Sequence, residues 1–103
     1  MILRRNRFAD LVRRQLDLFA RDEVALLDEA REAEEVWRRA GREDAEEAYG
    51  DWQLVADAIA ERLLDLREAY AATLDEATAS EYRGELDRAA RKRFPRFTAL
   101  LDE

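Results

Sequence analysis

The chain has no cysteine and no histidine. Without cysteine there is no disulfide framework and no thiolate metal site. Without histidine, the usual proton-transfer group near neutral pH and the commonest nitrogen ligand for a metal are both missing. Glycine occurs three times and proline once, so few turns are encoded. No apolar run approaches the roughly 18 residues that a membrane-spanning helix needs. The start, MILRRNRFADL, lacks the apolar core of a signal peptide. These absences predict a cytoplasmic protein with no membrane contact. Lys92 is the only lysine among 18 basic residues, which reads as a coding bias and not as a function.

What is present is helical in character. Charged residues make up 42% and apolar ones 48% of the 103 residues, a mixture typical of long amphipathic helices. Regularly recurring apolar positions, with two Trp, three Tyr and four Phe, argue against disorder. The clearest periodicity runs through Ala45, Ala48, Tyr49, Trp52, Val55, Ala56, Ile59, Leu63, Leu66, Tyr70, Leu74 and Ala77. Its steps alternate between three and four, which predicts one helix over residues 43–77.

Two earlier stripes, Phe8–Leu11–Val12–Leu16–Phe19 and Val24–Leu27–Ala30–Ala33–Trp37–Ala40, predict a long helix over 4–39. A kink near Arg21–Asp22 is compatible with that reading, and two helices meeting there are the alternative. Gly41 follows the last turn, where a left-handed glycine often stops a helix. Thr78 or Ser80 can cap a third helix over 80–94, which Pro95 ends. A short helical tail follows, with Phe97, Leu100 and Leu101 covering an edge. The expected fold is all-α: a single helical-bundle domain over 1–103, built on two long antiparallel helices.

The predicted lengths do not match. A third helix of about 14 residues covers less than half of the hairpin. At the base, Phe8, Leu11, Leu16 and Phe19 can meet Leu63, Leu66, Tyr70 and Leu74 under Tyr82, Leu86 and Phe94. The far arm carries Trp37, Tyr49 and Trp52 beside Ala33 and Ala45, with no third helix to cover them. An uncovered aromatic patch usually marks an association surface. Gly50 fits that picture, because it removes a side chain where another backbone can approach. The sequence therefore predicts a homodimeric, non-catalytic interaction or scaffold module, with self-association through Ala33, Trp37, Ala45, Tyr49, Gly50 and Trp52.

Other chemistry has less support. Acids crowd residues 28–51, yet the helical stripes carry alanines and rings where inward metal ligands would stand. Neither a metal nor a cofactor is expected. Ser80 is the only serine and has no histidine to activate it, so no enzyme is expected. The net charge of −7 disfavours general nucleic-acid binding. Charge is uneven, however: residues 1–21 carry six Arg against Asp10 and Asp17, and residues 88–103 carry five basic groups against Asp102 and Glu103. The alternative function is nucleic-acid or anionic-ligand binding at an Arg-rich base formed by residues 4–14 and 88–96: Arg4, Arg5, Arg7, Arg13, Arg14, Arg88, Arg91, Lys92 and Arg93. An acidic protein partner would suit the same patch.

Overall fold

Four helices and two 3₁₀ turns make up the regular structure of residues 7–102, the part of the chain that the computed structural model describes. They are α1 (Ala9–Asp22), α2 (Val24–Arg39), α3 (Ala45–Ala71) and α4 (Glu76–Arg93), followed by turns at Pro95–Phe97 and Ala99–Asp102. The result is an all-α bundle measuring 55 × 24 × 23 Å. The fold class expected from the sequence is correct, and the element boundaries need four corrections.

The expected helix over 4–39 begins on residues 4–6, which lie outside the described residues. From Ala9 onward it is two helices meeting at Glu23, close to where the alternative reading put their junction. Glu23 has φ −105° and ψ 25°, off the helical region. Even so, its N–H donates to the Phe19 carbonyl and its own carbonyl accepts from Leu27, both at 2.9 Å. The break is a one-residue bend in a nearly continuous hydrogen-bond ladder. It is braced by Arg62, whose Nη1 donates to Glu23 Oε1 at 2.6 Å. Val24, first in the expected second stripe, is exposed; Leu26, Leu27 and Ala30 take its place against the core.

The second long helix ends at Ala71, not 77. Leu74 and Ala77 continue the apolar phase, but local polar groups override it. Thr73 Oγ1 donates to the Tyr70 carbonyl at 2.7 Å. The Asp75 carboxylate accepts from the Thr78 N–H at 2.8 Å and from its hydroxyl at 3.0 Å. Asp75, and not Thr78 or Ser80, is therefore the cap. The third helix gains a turn at its start, spanning 76–93 instead of 80–94.

Gly41 is not left-handed; no described residue has positive φ. The chain leaves α2 through Ala40 in an extended conformation. Asp44 then closes a turn, its N–H donating to the Gly41 carbonyl three residues back.

Two antiparallel reversals leave α1 and α4 running parallel. Arg7 reaches Glu81, and Arg93 reaches Asp17. Phe8 meets Tyr82 with ring centroids 5.5 Å apart, and Phe19 meets Phe94 at 5.6 Å. Against α3 they enclose Leu16, Ile59, Leu63, Tyr82 and Leu86, all essentially without exposed surface. The predicted base packing is present: Leu11, Leu66, Tyr70 and Leu74 flank this cluster. Leu63→Ala empties the centre of that core and should cost about 3 kcal/mol of stability, within the range for buried Leu truncations. Urea unfolding followed by circular dichroism measures it.

Candidate association surface

The arm is the hairpin of α2 and α3 beyond the reach of α4. Its aromatic residues converge. Trp37 meets Tyr49 edge-on at 4.8 Å and lies 5.4 Å from Trp52, which is 5.9 Å from Tyr49. The sequence dictates this: Tyr49 and Trp52 are one turn apart on α3, and Trp37 faces them across the antiparallel seam. Such stacked pairs contribute about 0.5–1.5 kcal/mol beyond area burial. Ala30 and Ala48 are buried in the seam and keep the two backbones close. Ala33 and Ala45 are half-buried on its flanks.

The tail covers more of the arm than its length suggests. After Pro95 it turns across α3. Arg96, Phe97 and Ala99 line a groove of about 180 Å³ with Tyr49, Trp52, Gln53 and Ala56. Arg96 Nη1 reaches Glu34 Oε2 at 3.1 Å, and Arg38 approaches the same oxygen at 3.1 Å. Phe97 is half-buried and Leu101 buried; the side chain of Leu100 lies outside the described residues. Trp37 and Trp52 are thus half-buried by their own chain. Trp52 Nε1 is buried without a hydrogen-bond partner among the described residues, which matters because an unpaired buried donor weakens the fold.

Three large apolar side chains of the arm remain exposed among its charges. Tyr49 is 39% exposed, Val36 62% and Leu54 72%. Val36 and Leu54 are one position out of phase with the seam, beside Trp37 and Val55, and sequence reading passed over them. The detectable signal was an apolar residue at a position that amphipathic phase assigns to solvent. Gly50 lies on exposed, uninterrupted helix, and a Cβ added there would meet nothing within 4 Å. Nothing inside the chain requires that glycine.

The basic base is staggered. Because α1 and α4 are parallel, residues 7–14 of the one stand beside the start of the other, while 88–93 stand beside Asp17. Arg4 and Arg5 lie outside the described residues. Arg7, Arg13, Arg88 and Arg93 pair with Glu81, Asp10, Glu85 and Asp17. Arg88, Arg91 and Lys92 line an open groove of about 400 Å³ on α4 that also carries Glu85. No group of three acids that could hold a metal ion occurs among the described residues, and none of their helices is long and apolar enough to cross a membrane.

Two polar clusters lie away from the arm, one between α3 and α4 and one where Tyr82 of α4 meets α1 and α3. Arg67, nearly buried, donates through Nη1 to both oxygens of Asp87 at 2.9 and 3.0 Å, and through Nε to Glu68 at 2.8 Å. Arg83 forks onto Glu68 with two bonds of 2.9 Å. The hydrogen bond from Arg83, joined by Arg67, holds the Glu68 carboxyl below the usual range. Tyr82 donates to Gln15 Oε1 at 2.8 Å, and its ring centroid lies 4.7 Å from that of Tyr70. Burial pushes its phenol up to about 12. These groups bind helix to helix, and Gln15 also lines a groove of about 280 Å³ with Leu18, Phe19, Arg62 and Leu66.

No family profile, no curated protein and no solved structure matches the chain.

Both clusters have pH signatures of opposite sign. Glu68 is lowered in the folded state, so its contribution is present above the usual carboxylate value and lost as pH falls through the folded one. Glu68→Gln should flatten that acid limb in a thermal-melting profile. Tyr82 is raised, so its contribution is complete below pH 10 and lost as pH rises toward about 12. Tyr82→Phe should remove the corresponding alkaline loss, read as stability against pH alongside phenolate absorbance.

Proposed function

We propose that this protein is a non-catalytic interaction or scaffold module that acts as a homodimer in the cytoplasm, joined through the hairpin arm. The observation that carries the reading is that the arm exposes three large apolar side chains, Tyr49, Val36 and Leu54, and leaves its two tryptophans only half-buried. Large apolar side chains left exposed on a highly charged surface favour association. Gly50, with open space above it on the same arm, supports close approach of a second helix. The lack of histidine and cysteine removes the usual proton-transfer and thiol nucleophile groups, which favours a non-catalytic reading.

An anion site on the α4 groove is the second reading. Arg88, Arg91 and Lys92 favour it, while the pairing of Arg88 with Glu85 weakens it. Phosphate or a short nucleic acid titrated at low salt tests it through the salt slope of binding.

Both tryptophans are on the arm, so fluorescence reports on it directly. Sedimentation should show twice the 12.0 kDa chain mass at high concentration. Dilution should return the monomer with a red-shifted emission as the arm is wetted. Trp37→Ala and Trp52→Ala should weaken assembly more than helicity. A monomer at every concentration overturns the reading.

A further inference from the structure

We propose that a second copy of this chain lays its α1 along the outer line of α3. This rests on the self-association reading and names its contact. On α3, Glu47, Asp51, Leu54, Ala58, Glu61 and Asp65 recur at steps of three and four, so they stand in one line. That line points away from the buried Ala56, Ile59 and Leu63. Leu54 stands exposed in its middle, and Gly50 opens the same line to a close neighbour. None of the four acids has an ion pair among the described residues.

The chain carries the matching surface itself. Arg14, Leu18 and Arg21 lie at i, i+4 and i+7 on the exposed side of α1, opposite Val12, Leu16 and Phe19. Leu18 is 49% exposed. Most described arginines are engaged by acids of the same chain; Arg14 and Arg21 are not, nor are Arg42 and Lys92. Of these four, only Arg14 and Arg21 bracket an exposed large apolar residue. Leu18 set against Leu54 and Ala58 places the two arginines among Asp51, Glu61 and their neighbours.

Like-on-like pairing is disfavoured. Two α3 lines would oppose acid to acid, and two α1 lines would oppose arginine to arginine. Only α1 on α3 is complementary, and a two-fold dimer makes that contact twice.

The test is a charge exchange on exposed positions, with circular dichroism to verify folding. One variant carries Arg14→Glu with Arg21→Glu; the other carries Asp51→Arg with Glu61→Arg. Wild type should associate, and less tightly as ionic strength rises. Each variant alone should lose at least tenfold in dimer affinity by sedimentation. Mixing the two should restore a heterodimer, because both contacts then pair opposite charges. If wild type dimerises and each variant dimerises equally well, this pairing is overturned while self-association stands elsewhere on the arm. If wild type stays monomeric, both readings fall.

Discussion

The structure depends on one unbroken helix that must bury its inner face along its whole length against different partners. α3 runs 27 residues, roughly 40 Å at 1.5 Å per residue, and no other helix is long enough to cover it. α2 meets its first half and α1 with α4 meet its second. The tail bridges the gap between them through Phe97, Ala99 and Leu101. The bend at Glu23 follows from this division. α1 packs beside α4 and α2 beside the upper part of α3, so the chain between them must change direction while keeping its backbone paired. Arg62 on α3 braces that corner through Glu23.

The charged groups follow the same division. Between α3 and α4 they are matched and partly enclosed, in the Asp87–Arg67–Glu68–Arg83 chain. A nearly buried Arg67 is tolerable because carboxylates take its donors. On the outer side of α3 the acids stand alone, and exposed ions lose little by doing so. Acids are therefore neutralised where α3 meets α4, and those on the outer line of α3 have no ion pair among the described residues.

Much of this was legible in the residues. Steps of three and four located the helical segments, although they favoured one helix where Glu23 divides two, and the aromatic residues of the arm came together as their spacing required. The short-range polar chemistry was less legible. Leu74 and Ala77 keep the apolar phase, yet Thr73 and Asp75 stop one helix and start the next, because a side-chain bond to the backbone outweighs weak apolar periodicity at a helix end. Gly41 misled in the other direction: glycine permits a left-handed stop without demanding one. Val36 and Leu54 were hidden by their neighbours Trp37 and Val55, which fixed the phase of each helix and left the adjacent apolar residue unremarked. The reach of the tail was underestimated because 3₁₀ turns advance about 2 Å per residue, further than an α-helix.

The parallel packing of α1 on α4 bears on how the chain finds its fold. Arg7 meets Glu81 across 74 positions, and Arg93 meets Asp17 across 76. The α2–α3 hairpin, by contrast, joins neighbours through a turn of a few residues. Closing the long loop costs more entropy than closing the short one, and distant contacts slow folding. The hairpin is thus the natural nucleus. The packing of α1 starts on α3 and is complete only once α4 has brought Tyr82 and Phe94 against Phe8 and Phe19.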